Sequence, residues 1–171
     1  ENVTGTGNVA MGNQALQENT ANNNTAFGAN AMRLTTSGGS NTAVGTQAMD
    51  DNTTGANNAA CGYQALHANT TGAANVAVGS GALVTNTTGG TNTAIGGATL
   101  SANTTASDNT AVGYSALEDN TTGTGNTAVG HDALEKNTTA SYNTAVGLQS
   151  LHANTTGASN VAVGTNALEI N

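Results

Sequence analysis

NTAVGYSALEDNTTGTG, residues 109–125, is the stretch of the chain that decides the fold. The 171-residue chain repeats this stretch from end to end, with the consensus N-T-A-V-G-x-x-A-L-x-x-N-T-T-G-x-x. The first two repeats are 16 residues apart and the others 17 residues apart. We number the repeats as coils 1 to 10 and count positions from the first asparagine of each coil. The coils begin at Asn8, Asn24, Asn41, Asn58, Asn75, Asn92, Asn109, Asn126, Asn143 and Asn160.

Composition alone points away from a folded domain. Only 7% of the residues are charged and 2% are aromatic, and the chain has no Pro and no Trp. Such a composition is typical of disordered polar tracts. A disordered tract, however, has no reason to keep its phase over ten cycles. The phase therefore predicts a folded, quasi-one-dimensional repeat protein in which residues 1–171 form a single array.

Two columns of the repeat are apolar in every coil, and they predict the core. Position 4 holds Val, Ile, Met, Phe or Cys, and position 9 holds Leu or Met. The single cysteine, Cys61, stands at position 4 and is interpreted as a small buried apolar residue. Stacked coils would bury one residue of each column per turn. The predicted core includes Val44, Val78, Val112 and Val129 at position 4, and Leu66, Leu83, Leu117 and Leu134 at position 9.

Two other positions hold a small residue in all ten coils. Position 5 is always glycine, which predicts a corner with a positive φ. Position 3 is always alanine, on the opposite face of the strand from position 4. The alanine column predicts close approach by another backbone, either across the coil or in a neighbouring subunit. The glycines include Gly45, Gly79, Gly113 and Gly130, and the alanines include Ala43, Ala77, Ala111 and Ala128.

The repeat length also predicts the fold class. Positions 1 to 4 alternate with period two, so each coil contributes one short strand. Seventeen residues rich in Asn, Thr and Gly cannot form the two helices of a helical repeat. The sequence therefore predicts an all-β parallel β-solenoid of about ten coils, roughly 48 Å long at ~4.8 Å per coil. Stacked asparagines at positions 1 and 12 are expected to hydrogen-bond along the rod. Each coil buries little apolar surface for its ordered backbone, so we also expect a homo-oligomer.

The repeat resembles a known architecture. The unit NTAVGYSALEDNTTG, from Asn109 to Gly123, resembles the head repeat of YadA-type trimeric autotransporter adhesins and the arrays of phage tail fibres. The resemblance covers nearly the whole chain. It implies a left-handed parallel β-roll, assembled as a parallel homotrimer and located outside the cell, on a cell surface or a virion. The unit is longer than the usual adhesin-head coil, and position 2 is often Thr where that head prefers Val.

Charge and motif content argue against several classes of function. The net charge is −8 and the only basic residues are Arg33 and Lys136, so neither nucleic acid nor an anionic membrane is an expected partner. No apolar run is long enough to cross a bilayer. His67, His131 and His152 lie in separate coils, without an arranged nucleophile or orienting acid. We therefore expect no catalytic, cofactor or metal site and no enzymatic activity.

Most of the charge is confined to one part of the repeat. Eight of the ten acidic residues fall at positions 10 and 11, together with Arg33, Lys136, His67 and His152. The pattern is typical of a solvated corner that keeps a rod soluble, and a cation-binding or recognition edge is the alternative. The eight acids are Glu1, Glu18, Asp50, Asp51, Glu118, Asp119, Glu135 and Glu169.

These patterns favour a structural or adhesive segment of an extracellular fibre, surface adhesin or phage tail appendage. Ice binding is an alternative, because Thr pairs recur at positions 13 and 14 in seven coils and place one Thr column outward beside the Asn column at position 12. Binding of a host receptor or glycan is another, through Tyr63, Tyr114 and His131.

The two ends of the sequence fall within the same turn of the coil. Glu1 is at position 11, and Asn2 and Asn171 are both at position 12. Neither end shows the atypical polar repeat that normally caps a solenoid. We therefore expect the array to continue into more coils or a capping module, or to stack end to end as a filament subunit.

Overall fold

The computed structural model describes residues 5–170, so that Glu1, Asn2 and Asn171 lie outside the described part of the chain. The described residues form an all-β parallel β-solenoid, which confirms the predicted fold class, and they contain no helix. Ten strands form one sheet, in which they lie in the order of the chain. The strands are β1 Val9–Met11, β2 Thr25–Phe27, β3 Thr42–Val44, β4 Ala59–Cys61, β5 Val76–Val78, β6 Thr93–Ile95, β7 Thr110–Val112, β8 Thr127–Val129, β9 Thr144–Val146 and β10 Val161–Val163.

Every strand covers positions 2 to 4 and pairs with the same positions of the next coil. In the middle of the rod, Ala111 of β7 lies opposite Ala128 of β8. The glycine at position 5 then ends each strand. Gly113 has a φ of 137°, and a Cβ atom added to it would lie 2.4 Å from the carbonyl oxygen of Gly130 in the next coil. No residue with a side chain fits this corner without a backbone shift.

The rest of each coil is a series of turns with left-handed residues at positions 7, 9 and 17. Ser115, Leu117 and Gly125 of coil 7 have φ values of 53°, 54° and 66°. A left-handed conformation is unusual for a bulky residue and most unfavourable for a β-branched one. Position 9 accordingly holds only Leu or Met, which are not branched at Cβ.

The interior is narrow and is filled from both sides of the coil. In coil 7, Ala111 comes from the strand, and Ala116 and Leu117 come from the turn segment opposite. All three residues are fully buried. The alanines predicted to pack closely therefore pack across their own coil, and Ala43, Ala77 and Ala128 are likewise 0% exposed. The position 9 residues Leu66, Leu83 and Leu134 are also 0% exposed.

The valine column at position 4 faces outward, so its prediction as core was wrong. Val44, Val78 and Val129 are 40%, 39% and 37% exposed, and Val112 is partly exposed. Cys61, in the same column, is exposed as well. The physical reason is the alternation of the strand, which sends positions 1 and 3 inward and positions 2 and 4 outward. Little room remains inside for a residue larger than alanine, because asparagine side chains occupy part of the interior.

Asparagine at position 1 forms an unbroken column of hydrogen bonds along the rod. The backbone N–H of Asn126 donates to Oδ1 of Asn109 at 2.9 Å, and the equivalent bond occurs at each step from Asn8 to Asn160. The side-chain Nδ2 of Asn109 donates across its own coil to the carbonyl oxygen of Gly123 at 2.9 Å. Both ends of the buried amide are therefore paired, which offsets the cost of removing it from water.

A second asparagine column, at position 12, runs beside the first. Nδ2 of Asn137 donates to Oδ1 of Asn120 at 2.9 Å, and Nδ2 of Asn120 also reaches the Gly123 carbonyl oxygen at 3.0 Å. The two columns thus meet at the same carbonyl group in coil 1 and in coils 3 to 8. The second column is interrupted at Thr35, whose buried hydroxyl oxygen has no hydrogen-bond partner.

Candidate functional site

The outward side of the sheet is the first candidate surface. We call it the strand face and define it by the side chains at positions 2 and 4. Its position 2 residues are Thr, Val or Ala, and no charged residue occurs at either position in any coil. Val76 and Ile95 are 37% and 40% exposed. The strand face is therefore a long uncharged strip with a continuous apolar column.

The threonine pairs form the second candidate surface. The first threonine of six pairs ties two coils together; for example, Oγ1 of Thr121 donates to the carbonyl oxygen of Thr138 at 3.0 Å. The second threonine of the pair, such as Thr88, Thr105 or Thr122, is exposed. The pairs therefore present one outward column, as their spacing predicts, and the other column stabilises the stack of coils.

Charge is concentrated on a third surface, the charged edge, which we define by positions 10 and 11. Its first cluster lies in coils 2 to 4. Nε of Arg33 lies 2.8 Å from Oδ1 of Asp50, whose side chain is 4% exposed. His67 lies between two carboxylates, with Nε2 4.0 Å from Asp50 and Nδ1 3.7 Å from Asp51. The guanidinium group thus neutralises the one deeply buried carboxylate of this cluster.

The second cluster of the charged edge lies in coils 7 to 9. Lys136 contacts Glu135 in its own coil, and its Nζ lies 3.2 Å from Oδ2 of Asp119 in the coil before. Nε2 of His152, in the coil after, lies 2.9 Å from Oε2 of Glu135. The three coils therefore contribute to one chain of contacts, in which the charges of Asp119, Lys136 and Glu135 alternate.

These contacts set the ionisation of the cluster. Partial burial raises the pKa of Glu135, but hydrogen bonds with Lys136 and His152 outweigh it, and the pKa lies below its ordinary value. Hydrogen bonds to Glu135 and then to Asp119 raise the pKa of Lys136 above its ordinary value. Both groups consequently remain charged at neutral pH.

Two residues at positions 6 and 7 of coil 8 extend the second cluster. Nδ1 of His131 lies 3.0 Å from Oδ2 of Asp132, and Nε2 of Gln149 lies 3.4 Å from the same oxygen. Asp132 has a φ of 56°, and the left-handed turn at this residue brings position 7 close to position 10. Ligand atoms of Asp132, Glu135 and His152 lie within 4.8 Å of one another.

The aromatic residues expected at a glycan site do not all come together. The rings of Tyr114 and His131 stack with their centroids 5.4 Å apart. Tyr114 is 59% exposed and also lies against Gly97 of the preceding coil. Tyr63 is three coils away from Tyr114 and is 53% exposed. The stacked pair is therefore a small surface at one place on the rod.

Residues 5–170 contain no pocket, and none of their segments forms a helix that could span a membrane. No family profile, no curated protein and no solved structure matches the chain. The geometry of the three surfaces therefore carries the functional argument.

Proposed function

We propose that the chain is a structural segment of an extracellular fibre, in which copies of the rod pack side by side through the strand face. The observation that carries this proposal is the exposed apolar column at position 4, which runs through all ten strands in register. A column of this kind, exposed in register along a rod, favours association with another apolar surface.

The size of the strand face supports its role as an interface. Nine steps of ~4.8 Å give it a length of about 43 Å, and two outward columns give it a width of about 7 Å. Position 4 is apolar in every coil, and position 2 adds Val or Ala in four coils and Thr in six. Long exposed apolar patches on proteins are often interaction sites. The lack of charge on the strand face allows it to be buried without a desolvation penalty for ions.

Three parallel copies are the assembly that we propose. In a parallel arrangement each coil of one chain lies beside the equivalent coil of another. Three strand faces can then converge on a common axis. The resemblance of the repeat to the YadA-type head supports the number three. The charged edge would remain in water and keep the fibre soluble.

In this proposal the protein has a mechanical rather than an enzymatic role, as a shaft or head segment of an adhesin or a phage tail appendage. The narrow interior supports this role, because the side chains in it are held by stacking and hydrogen bonds along the rod. A host receptor or glycan would then bind to the outer surface of the fibre.

Light scattering on the purified chain tests the proposal. We expect the mass of three chains for the unaltered protein and of one chain for the double variant Val112→Lys and Val129→Lys. The matched control, Thr105→Lys and Thr122→Lys, adds the same charge to an equally regular column and should leave the assembly intact. A folded single chain in the unaltered protein at micromolar concentration would overturn the proposal, and mass that grows without limit would indicate end-to-end filaments instead.

Ice binding is a second candidate, favoured by the regular column of exposed threonines at position 14. The expected face of paired Asn and Thr columns was wrong, because the asparagines at position 12, such as Asn86 and Asn103, are fully buried. It predicts thermal hysteresis and faceted ice growth, both lost in the variants Thr88→Lys and Thr105→Lys. The two candidates are distinguishable, because the strand-face variants would break the assembly and the threonine variants would abolish ice activity. An absence of both ice effects would remove this candidate.

A further inference from the structure

The second cluster of the charged edge contains a set of donor atoms that the fibre does not need. Asp132, Glu135 and His152 each offer one ligand atom, and these atoms lie within 4.8 Å of one another. All three residues are partly exposed, so that an ion in solution can reach them. Two of them come from coil 8 and one from coil 9, so the set exists only when the coils are stacked.

We infer that Asp132, Glu135 and His152 form a binding site for a divalent ion of the zinc type. Two carboxylate oxygens and one imidazole nitrogen are a donor set that zinc accepts, and three protein ligands leave a position for water. Two ligands bound to one zinc ion at about 2.0–2.2 Å lie roughly 3–3.5 Å apart. The 2.9 Å between Oε2 of Glu135 and Nε2 of His152 is close to this separation.

The first cluster shows why the second one is suited to a cation. Position 10 carries Arg33, Asp50 and His67 in coils 2 to 4, and Glu118, Glu135 and His152 in coils 7 to 9. In the first cluster the guanidinium of Arg33 binds the central carboxylate at 2.8 Å.

In the second cluster a glutamate, Glu118, stands where the first cluster has its arginine. Coils 7 and 8 carry the carboxylates of Glu118, Asp119, Asp132 and Glu135 on this side, against the single ammonium group of Lys136. The surplus of negative charge in the second cluster attracts a cation from solution. In the first cluster the positive charge is already supplied by Arg33.

The position of Lys136 leaves the site accessible. Its ammonium group contacts Oε1 of Glu135, whereas His152 approaches the other oxygen, Oε2. A bound ion can therefore take the place of the proton between Oε2 and Nε2 of His152, with both atoms as ligands, without displacing the lysine. The lysine nevertheless repels a cation at this distance, so that its removal should strengthen binding.

Gln149 and His131 hold the remaining ligand in place. Both side chains lie within 3.4 Å of Oδ2 of Asp132, which orients this carboxylate towards the cluster. Such outer contacts of a ligand typically change metal affinity about 10- to 100-fold when they are removed.

Isothermal titration of the untagged chain with zinc chloride tests the inference. We expect one zinc ion per chain, and at least about 100-fold weaker binding in His152→Ala, since a direct ligand contributes more than an outer contact. Lys136→Gln should bind more tightly than the unaltered chain. The matched control is His67→Ala, which removes the histidine at the same position of the first cluster and should leave the affinity within about twofold.

Three companion measurements separate zinc binding at this site from misfolding and from general attraction of cations. Circular dichroism should show that each variant is folded, and zinc should raise the melting temperature of the unaltered chain and not of His152→Ala. Calcium, which prefers six to eight oxygen ligands, should bind more weakly than zinc. Unchanged affinity in His152→Ala, equal losses in His67→Ala and His152→Ala, or stronger binding of calcium would each overturn the inference. None of these results depends on the oligomeric state.

Discussion

Ala111 and Val112 are neighbours on β7, and the columns to which they belong face opposite sides of the same sheet. The alanine column lies inside the coil and is fully buried in coil 7, whereas the valine column lies on the strand face and is partly exposed. Both columns are apolar in all ten coils. The larger side chain, which would gain more from burial, is the one that faces outward.

The room inside the coil, rather than the apolar character of the side chain, therefore decides which column is buried. Two asparagines, two alanines and one leucine fill the interior of coil 7, and the strand can add no more than a methyl group there. The valine column keeps exposed surface, which the proposed contact between chains would cover. The inner column stabilises one coil against the next, and in the proposed assembly the outer column would stabilise one chain against another.

The largest expected effect comes from a deletion after which the alanine and valine columns no longer stack on the same columns of the neighbouring coils. Removal of residues 92–108 takes out one whole coil and should preserve a cooperative melt, because solenoid stability depends on nearest neighbours. Removal of residues 92–99 alone leaves a coil too short to close, and it should cost more than about 5 kcal/mol or abolish folding. Circular dichroism melts distinguish the two deletions. Equal tolerance of both would show that the 17-residue coil is not the physical unit.

A pair of substitutions at Ala111 and Val112 compares the two columns directly. Ala111→Val overfills the interior and should lower the free energy of unfolding by about 1–3 kcal/mol at any protein concentration. Val112→Ala should cost less than about 0.5 kcal/mol in a single chain, and its effect should grow with protein concentration as chains associate. Urea unfolding at several concentrations measures both. If the two variants behaved alike, the distinction between inner and outer columns would fail.

The smallest expected effect is a gain in stability at the one gap in the asparagine columns. Thr35→Asn would place an amide between Asn19 and Asn52, where a buried hydroxyl now lacks a partner. We expect about 1 kcal/mol of added stability, because a restored buried hydrogen bond is worth about that much. The shift in the urea midpoint measures it, with the exposed Thr46→Asn as a control that should change little. A loss of stability in Thr35→Asn would show that the column does not require asparagine there.

Much of the fold follows from the sequence, because the coil length fixes which residues stack. The glycine corner at Gly113 and the buried leucine at Leu117 each follow from a residue type that recurs at the same position along the array. The orientation of Val112 did not follow, since the polar Asn109 was not expected to take up interior space. Only the hydrogen bonds of its amide make that burial favourable.

Only part of the candidate metal site could be predicted from the sequence. Glu135 and His152 are 17 residues apart and both at position 10, so stacking alone predicts their contact. Asp132 is at position 7, and its approach depends on left-handed turns at Asp132 and Leu134. Apart from glycine, residues that adopt such turns are hard to recognise from sequence.

The asparagine columns give the rod a direction. The donor N–H belongs to the later coil and the accepting Oδ1 to the earlier one at every step of the column of Asn109, and at each step from Asn52 to Asn154 of the column of Asn120. A cut between two such coils leaves the amide oxygens of these columns bare on the earlier coil and the N–H groups bare on the later one. The backbone has no such polarity, because its hydrogen bonds between coils run both ways, from Gly130 back to Val112 and from Thr110 forward to Asn126. The asparagine columns therefore favour head-to-tail continuation of the rod, since two cut surfaces of the same kind would bring like groups of these columns together.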